Sequence, residues 1–177
     1  TTFPSNLTNT SKTQLNINYS WTEINKDTCK YSRNGGLTNS TLIGCANITG
    51  VTWNEGLNNL TIYINDSLNN KNASYVSFIL DTIFPNASIT SIQTTTNSQT
   101  VTFNFTTLDA GTGLSSCIYR VDVNGVQEIA NTSIGCYANT TQIVVSSFNT
   151  YNLTFFSIDY SNNMNQTSQL FTTSQAV

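Results

Sequence analysis

Fourteen asparagines stand in Asn-X-Ser/Thr sequons, the pattern whose side-chain amide accepts an N-linked glycan. They are Asn6, Asn9, Asn18, Asn39, Asn47, Asn59, Asn65, Asn72, Asn86, Asn104, Asn131, Asn139, Asn152 and Asn165. The chain holds 26 Asn and 50 Ser plus Thr in 177 residues. Random placement of these would give about 7 sequons. The excess points to a chain that carries glycan outside the cytoplasm. A second reactive set is four cysteines, Cys29, Cys45, Cys117 and Cys136, which permit three disulfide connectivities. Metal binding by these thiols would need close Cys pairs or His partners, and the chain has neither. Disulfides are therefore expected, with the oxidising, extracellular setting that maintains them.

Other chemistry is hard to assemble from these residues. Without His there is no Ser-His or Cys-His nucleophile and no His-ligated metal. No phosphate-binding glycine loop is present. A glycosidase would need two facing carboxylates, but the nine acids are scattered. Asp66 and Asp159 occupy matched positions in the two halves, which suggests a turn or strand-end role. Calcium at a domain junction, using Glu23, Asp81 and Asp109, is the sharper alternative, yet no local cluster resembles a calcium loop. A Lys–Asn isopeptide staple would have to use Lys12, Lys26, Lys30 or Lys71, all in the first half. Trp21 and Trp53 could form a sugar platform. Trp21, in phase with Ile17 and Tyr19, reads instead as core. The expectation is no catalytic residue, no metal and no cofactor beyond covalent glycan.

The elements that carry these groups are duplicated. Thr2-Phe3-Pro4 matches Ile83-Phe84-Pro85, Leu15–Tyr19 matches Val101–Phe105, and Cys29-Lys30-Tyr31 matches Cys117-Ile118-Tyr119. Ile43-Gly44-Cys45 matches Ile134-Gly135-Cys136, Asn59-Leu60-Thr61 matches Asn152-Leu153-Thr154, and Asn72 matches Asn165. The order is kept throughout, giving repeats over 1–81 and 82–177. Duplication favours one bridge inside each repeat, Cys29–Cys45 and Cys117–Cys136. Each closes a loop of about 17–20 residues, worth about 3 kcal/mol in the chain-entropy model.

Val, Ile, Phe and Tyr alternate with Thr and Asn, which is strand material. The clear strands are 14–21, 60–65, 75–80, 101–107, 117–123, 142–145 and 153–158. Turn signals such as Asn34-Gly35-Gly36 and Asn124-Gly125 separate strand from strand. Asn16, Asn18 and Asn104 fall on the polar phase, so glycan would project outward while the apolar set builds a core. The fold class is all-β, two tandem immunoglobulin-like sandwiches joined by the short linker Asp81–Pro85.

Charged residues make up 8% of the chain and the net charge is −3, too little to argue for nucleic acid. No apolar run is long enough to span a membrane, so no membrane insertion of the mature chain is expected. The chain opens at Thr1 without a leader and reads as a processed, secreted form. A fold resting on neutral interactions avoids the loss of carboxylate ion pairs in acid, so an acidic habitat is a plausible expectation.

Cys-x-Tyr, a turn, Gly-Cys and then Asn-Leu-Thr running to Asp recur in both halves, at Cys29–Tyr31, Gly44-Cys45 and Asn59–Asp66, and at Cys117–Tyr119, Gly135-Cys136 and Asn152–Asp159. This pattern resembles the immunoglobulin-like repeats of archaeal cell-surface proteins. Composition, sequon density and size resemble the thread filament subunits of Sulfolobus-type archaea. That resemblance implies a cell-surface homopolymer of identical glycosylated subunits, each lending a β-strand to the next. Phe3 and Leu7, in the N-terminal segment 1–11, are the first anchors to consider for such a strand. The C-terminal segment 170–177 is the rival donor, and its weak strand character places an open groove in the second repeat. The alternative is a surface-layer or adhesin module that does not polymerise and contacts the cell surface or carbohydrate.

Overall fold

The computed structural model describes residues 4–175, which divide into two compact units at Thr82/Ile83. Among the described residues there is no α-helix.

The second unit is a seven-stranded sandwich. Its strands are β6 (Asn86–Thr94), β7 (Thr100–Leu108), β8 (Leu114–Val123), β9 (Val126–Ile134), β10 (Thr140–Val144), β11 (Thr150–Asp159) and β12 (Met164–Thr172). One sheet has the order β10-β7-β6, the other β12-β11-β8-β9. Period-2 alternation supplies the core. Val101, Phe103 and Phe105 of β7 face Cys117, Tyr119 and Val121 of β8 and Tyr151, Leu153 and Phe155 of β11. Each such aromatic or aliphatic side chain contributes about 1.5–3 kcal/mol by leaving water. Asn124 and Gly125, both at positive φ (51° and 76°), make the tight β8–β9 turn that an Asn-Gly pair favours.

The first unit is built around β1 (Thr8–Thr10), β2 (Lys26–Ser32), β3 (Ser40–Leu42), β4 (Gly56–Asp66) and β5 (Lys71–Leu80). They form one sheet, β1-β5-β4-β2-β3, with β1 parallel to β5. The opposite layer is irregular. Leu15, Ile17, Tyr19, Ile48 and Trp53 cover Leu60, Ile62, Val76, Phe78 and Leu80. An isolated bridge between Ile17 and Ile48, and the Trp53 Nε1–H donated to the Leu15 carbonyl at 2.8 Å, hold that layer together.

Both expected disulfides are formed, Cys29–Cys45 and Cys117–Cys136, with Cα atoms 5.1 and 5.2 Å apart. Three sequence expectations need correction. Residues 14–21 are not a ladder strand, although Leu15, Ile17 and Tyr19 do face inward. Trp21 is not core: it is 36% exposed, while Trp53, which the pattern left undetermined, is 3% exposed. The last strand of the second unit is not damaged. β12 pairs with β11 along its whole length, Thr150 opposite Thr172 through Ile158 opposite Met164. Most of its side chains are exposed, so alternation is faint and the ladder itself defines the strand.

Candidate functional site

Asp66 and Asp159 close the same turn in each unit. Asp66 Oδ1 accepts the backbone N–H of Leu68 and of Asn70, and Oδ2 accepts the Asn70 side-chain N–H. Asp159 does the same with Ser161, Asn163 and the Asn163 amide. Asn69 and Asn162 supply the left-handed residue, at φ 64° and 65°. The carboxylates are thus structural acceptors. Of the acids considered for calcium, Glu23 Oε1 accepts the Asn25 N–H. Asp109 Oδ2 accepts Gly111 N–H and Gly113 N–H, while its buried Oδ1 has no hydrogen-bond partner. The backbone N–H of Asp81 donates to the Thr10 carbonyl. Lys12, Lys26, Lys30 and Lys71 are all exposed, so none is placed for an isopeptide staple, which needs a buried Lys beside its Asn.

Burial separates the two turns. Asp159, Ser161 and Asn163 are buried, at 0%, 3% and 6% exposure, whereas the Asp66 turn lies at the surface. In the second unit the entering segment covers the turn. The Ile83 carbonyl accepts the Asn163 side-chain N–H, the Asn86 carbonyl accepts Ser157 Oγ–H, and Asn86–Ile89 pairs with Leu108–Phe105. No described residue of the first unit takes that place. There the corresponding space is an open groove of about 370 Å³. Its walls include Tyr19, Trp21, Ile62, Ile64, Asp66 and Asn70. Lys26 lies over the Trp21 ring, 5.0 Å from its centroid. A groove at this position is thus found in the first unit, while the second unit, whose β12 is fully paired, has an open concavity of about 640 Å³ at another place, lined by Arg120, Asp122, Tyr151, Asn152 and Leu170.

The N-terminal segment, sequence counterpart of the filler, runs elsewhere. Leu7 N–H donates to the Ser77 carbonyl, Asn6 Oδ1 accepts both the Ser77 N–H and Oγ–H, and Thr8–Thr10 pairs with Phe78–Leu80. Leu7 is 66% exposed and at φ 63°, a conformation costly for a branched side chain. Phe3 lies outside the described residues.

None of the fourteen sequon asparagines is buried: Asn9, Asn65, Asn104 and Asn152 are half-buried and the rest exposed. The two buried asparagines, Asn58 and Asn163, are not in sequons.

The Asn70 side-chain hydrogen bond holds the Asp66 carboxyl below its ordinary 3.8, against a partial opposing effect of desolvation. Hydrogen bonding by Ser146 likewise lowers Glu128 from 4.5. A lowered folded-state value stabilises the fold above the unfolded value and is lost as pH falls through the folded one. With no His to titrate in between, the melting temperature should stay level from pH 7 to about 4.5 and decline only below. Calorimetry across pH 2–7 checks this, and a fall between pH 7 and 5 would contradict it.

No protein-family model and no curated protein matches the sequence. Among solved structures the chain is similar to the fibronectin(III)-like modules of Clostridium thermocellum CbhA, at 16% identity and TM-score 0.57, covering 98% of this chain and 93% of that one. It is similar to three N-terminal domains of the bacteriophage RB49 highly immunogenic outer capsid protein Hoc, at 9% identity and TM-score 0.51, over 99% and 68% of the two chains. A tetra-tandem repeat in the extending region of a large adhesion protein matches at 17% identity and TM-score 0.42, over 82% and 41%. The likeness shows the fold: the units are immunoglobulin-like β-sandwich modules.

Proposed function

We propose that this chain is the structural subunit of an extracellular, glycosylated cell-surface filament, joined copy to copy by a donated β-strand. One observation carries the reading: a cleft that the chain fills in its second unit stands open in its first. The occupant is the N-terminal segment of a neighbouring copy. Laying the sequon Asn6-Leu7-Thr8 on Asn86-Ala87-Ser88, one residue out of register with the Pro4–Pro85 match, puts Leu7 in the place of buried Ala87, and the sequon asparagine faces solvent as Asn86 does. Deep burial and glycosylation of that segment are thus compatible. Asn72 lines the groove, yet its counterpart Asn165 stays exposed beside the filled cleft, so a glycan there can leave outward. Backbone ladder bonds supply affinity and alternate side chains supply register. A contact between unlike surfaces repeats without closing, which gives a filament. Two disulfides and the sequon density support an oxidising, external location.

A second reading, a surface or adhesin module that does not polymerise, is favoured by the docking of Ser5–Thr10 on its own β5. Electron microscopy of native surface material, with mass spectrometry to identify the chain, separates the two. Filaments of this chain with a neighbour's segment beside Trp21 are expected. Monomers with the first groove empty would leave the surface module. In solution, a peptide spanning residues 1–11 should shift Trp21 emission to the blue and stop growth; an unchanged spectrum would count against the groove.

A further inference from the structure

We infer that the N-linked glycans guard the free edges of the sheets, standing where other proteins place charge. The inference rests on the glycoprotein part of the reading above and is independent of strand donation. An edge strand offers a row of unpaired N–H and C=O groups, and proteins blunt it with Lys, Pro or bulges. The three sheets end in six strands: β1 and β3, β10 and β6, β12 and β9. Glu128 is the one charged side chain in all six, and none contains Pro. Interior β2 carries Lys26, Asp27 and Lys30; Lys30 lies opposite Thr41 of β3, whereas Lys26 and Asp27 lie beyond the β3 pairing, at a register shift against β4.

Every edge strand carries or adjoins a sequon. Asn9 lies in β1, Asn131 in β9 and Asn165 in β12; Asn86 opens β6; Asn39 and Asn139 immediately precede β3 and β10. Of the interior strands, β2 and β8 have none, while β4, β5, β7 and β11 carry Asn59, Asn65, Asn72, Asn104 and Asn152, of which all but Asn72 supply the control below. Register shifts interrupt the pairings of β6 with β7 and β9 with β8, but the β12 ladder is unbroken over nine residues. Exposed Val126, Val144 and Leu170 add apolar surface to these edges. A net charge of −3 gives little mutual repulsion. A second strand must approach to about 4.8 Å to pair, and a mobile oligosaccharide rooted on the edge sweeps that space.

The test uses the full glycosylated chain from cells that attach N-glycan, with occupancy read by mass spectrometry. One variant changes the edge set, Asn9, Asn39, Asn86, Asn131, Asn139 and Asn165, to Gln. The control changes interior-strand Asn59, Asn65, Asn104 and Asn152 to Gln. A third removes the edge sequons through their hydroxyl residues (Ser11, Thr41, Ser88, Ser133, Thr141 and Thr167 to Ala), keeping every Asn. Light scattering of folded monomer, with melting temperature as the fold check, should show both edge variants aggregating about tenfold faster or more, and the control near wild type. Equal behaviour of edge and control sets overturns the inference, as does finding the edge sequons bare in soluble native protein. Bare asparagine at every sequon would sink the glycoprotein reading as well, which keeps the two failures distinct.

Discussion

Asp159→Ala is expected to lower the melting temperature of the second unit by roughly 10–25 °C, while Asp66→Ala shifts the first unit only slightly. The two residues make the same three hydrogen bonds, so the difference lies in burial. Without the Asp159 carboxylate, the Ser161 N–H, the Asn163 side-chain N–H and the Asn163 backbone N–H lose their carboxylate acceptor, in a site where Asp159 itself is 0% exposed. Buried donors left without an acceptor cost about 1–3 kcal/mol each. Asp109 offsets part of this, because its carboxylate comes within 4.8 Å of that of Asp159 and the substitution removes their repulsion. The net is about 2–4 kcal/mol, and a domain of this size loses about 4–8 °C per kcal/mol. At Asp66, water replaces the lost acceptor. Calorimetry of the two variants reads the contrast directly, and equal shifts would contradict it. The pair also reports on assembly. A donated segment covering the first turn would make Asp66→Ala costly in filaments, although it is mild in the monomer.

The sequence made the core of the second unit legible because its strands are half-buried and alternate. Val101, Phe103 and Phe105, or Leu153 and Phe155, cannot share a face in any other element. Edge and hairpin strands were harder. β9 and β12 present mostly exposed Gln, Asn, Thr and Ser, and their strand character comes from the neighbour's ladder. In the first unit, 14–21 has the phase of a strand but, among the described residues, its ladder pairing is the single Ile17–Ile48 bridge, and phase alone cannot tell whether a partner strand is present. The same limit hid the groove. Repeat alignment matches Thr2-Phe3-Pro4 with Ile83-Phe84-Pro85, yet the path from Pro4 to Leu15 is five residues shorter than from Pro85 to Val101. The residues that follow the match, Leu7–Thr10, lie on β5. The disulfide pairing and the Asp turns were legible because duplication states each of them twice.

Leu7→Asp should leave the monomer intact and abolish filament growth. In the monomer Leu7 is 66% exposed, so little apolar burial is lost. Its φ of 63° is a left-handed conformation that Asp tolerates better than Leu, so the docked form is not weakened by the change. The sequon Asn6-X-Thr8 survives, and glycan occupancy is held constant. In a neighbour's groove the position becomes that of Ala87, which is 9% exposed. Burying Leu there contributes about 1.5–3 kcal/mol, and an unpaired carboxylate would cost several kcal/mol instead. A swing of about 4 kcal/mol is roughly a thousandfold in the association constant. Leu7→Gly separates strain from anchoring: it removes the left-handed penalty, stabilises the segment on its own β5, and should slow growth without abolishing it. Sedimentation and electron microscopy of the three proteins decide the matter. Filaments from Leu7→Asp at wild-type yield would move the donor away from this segment, and a melting temperature well below wild type would show that Leu7 holds the monomer itself.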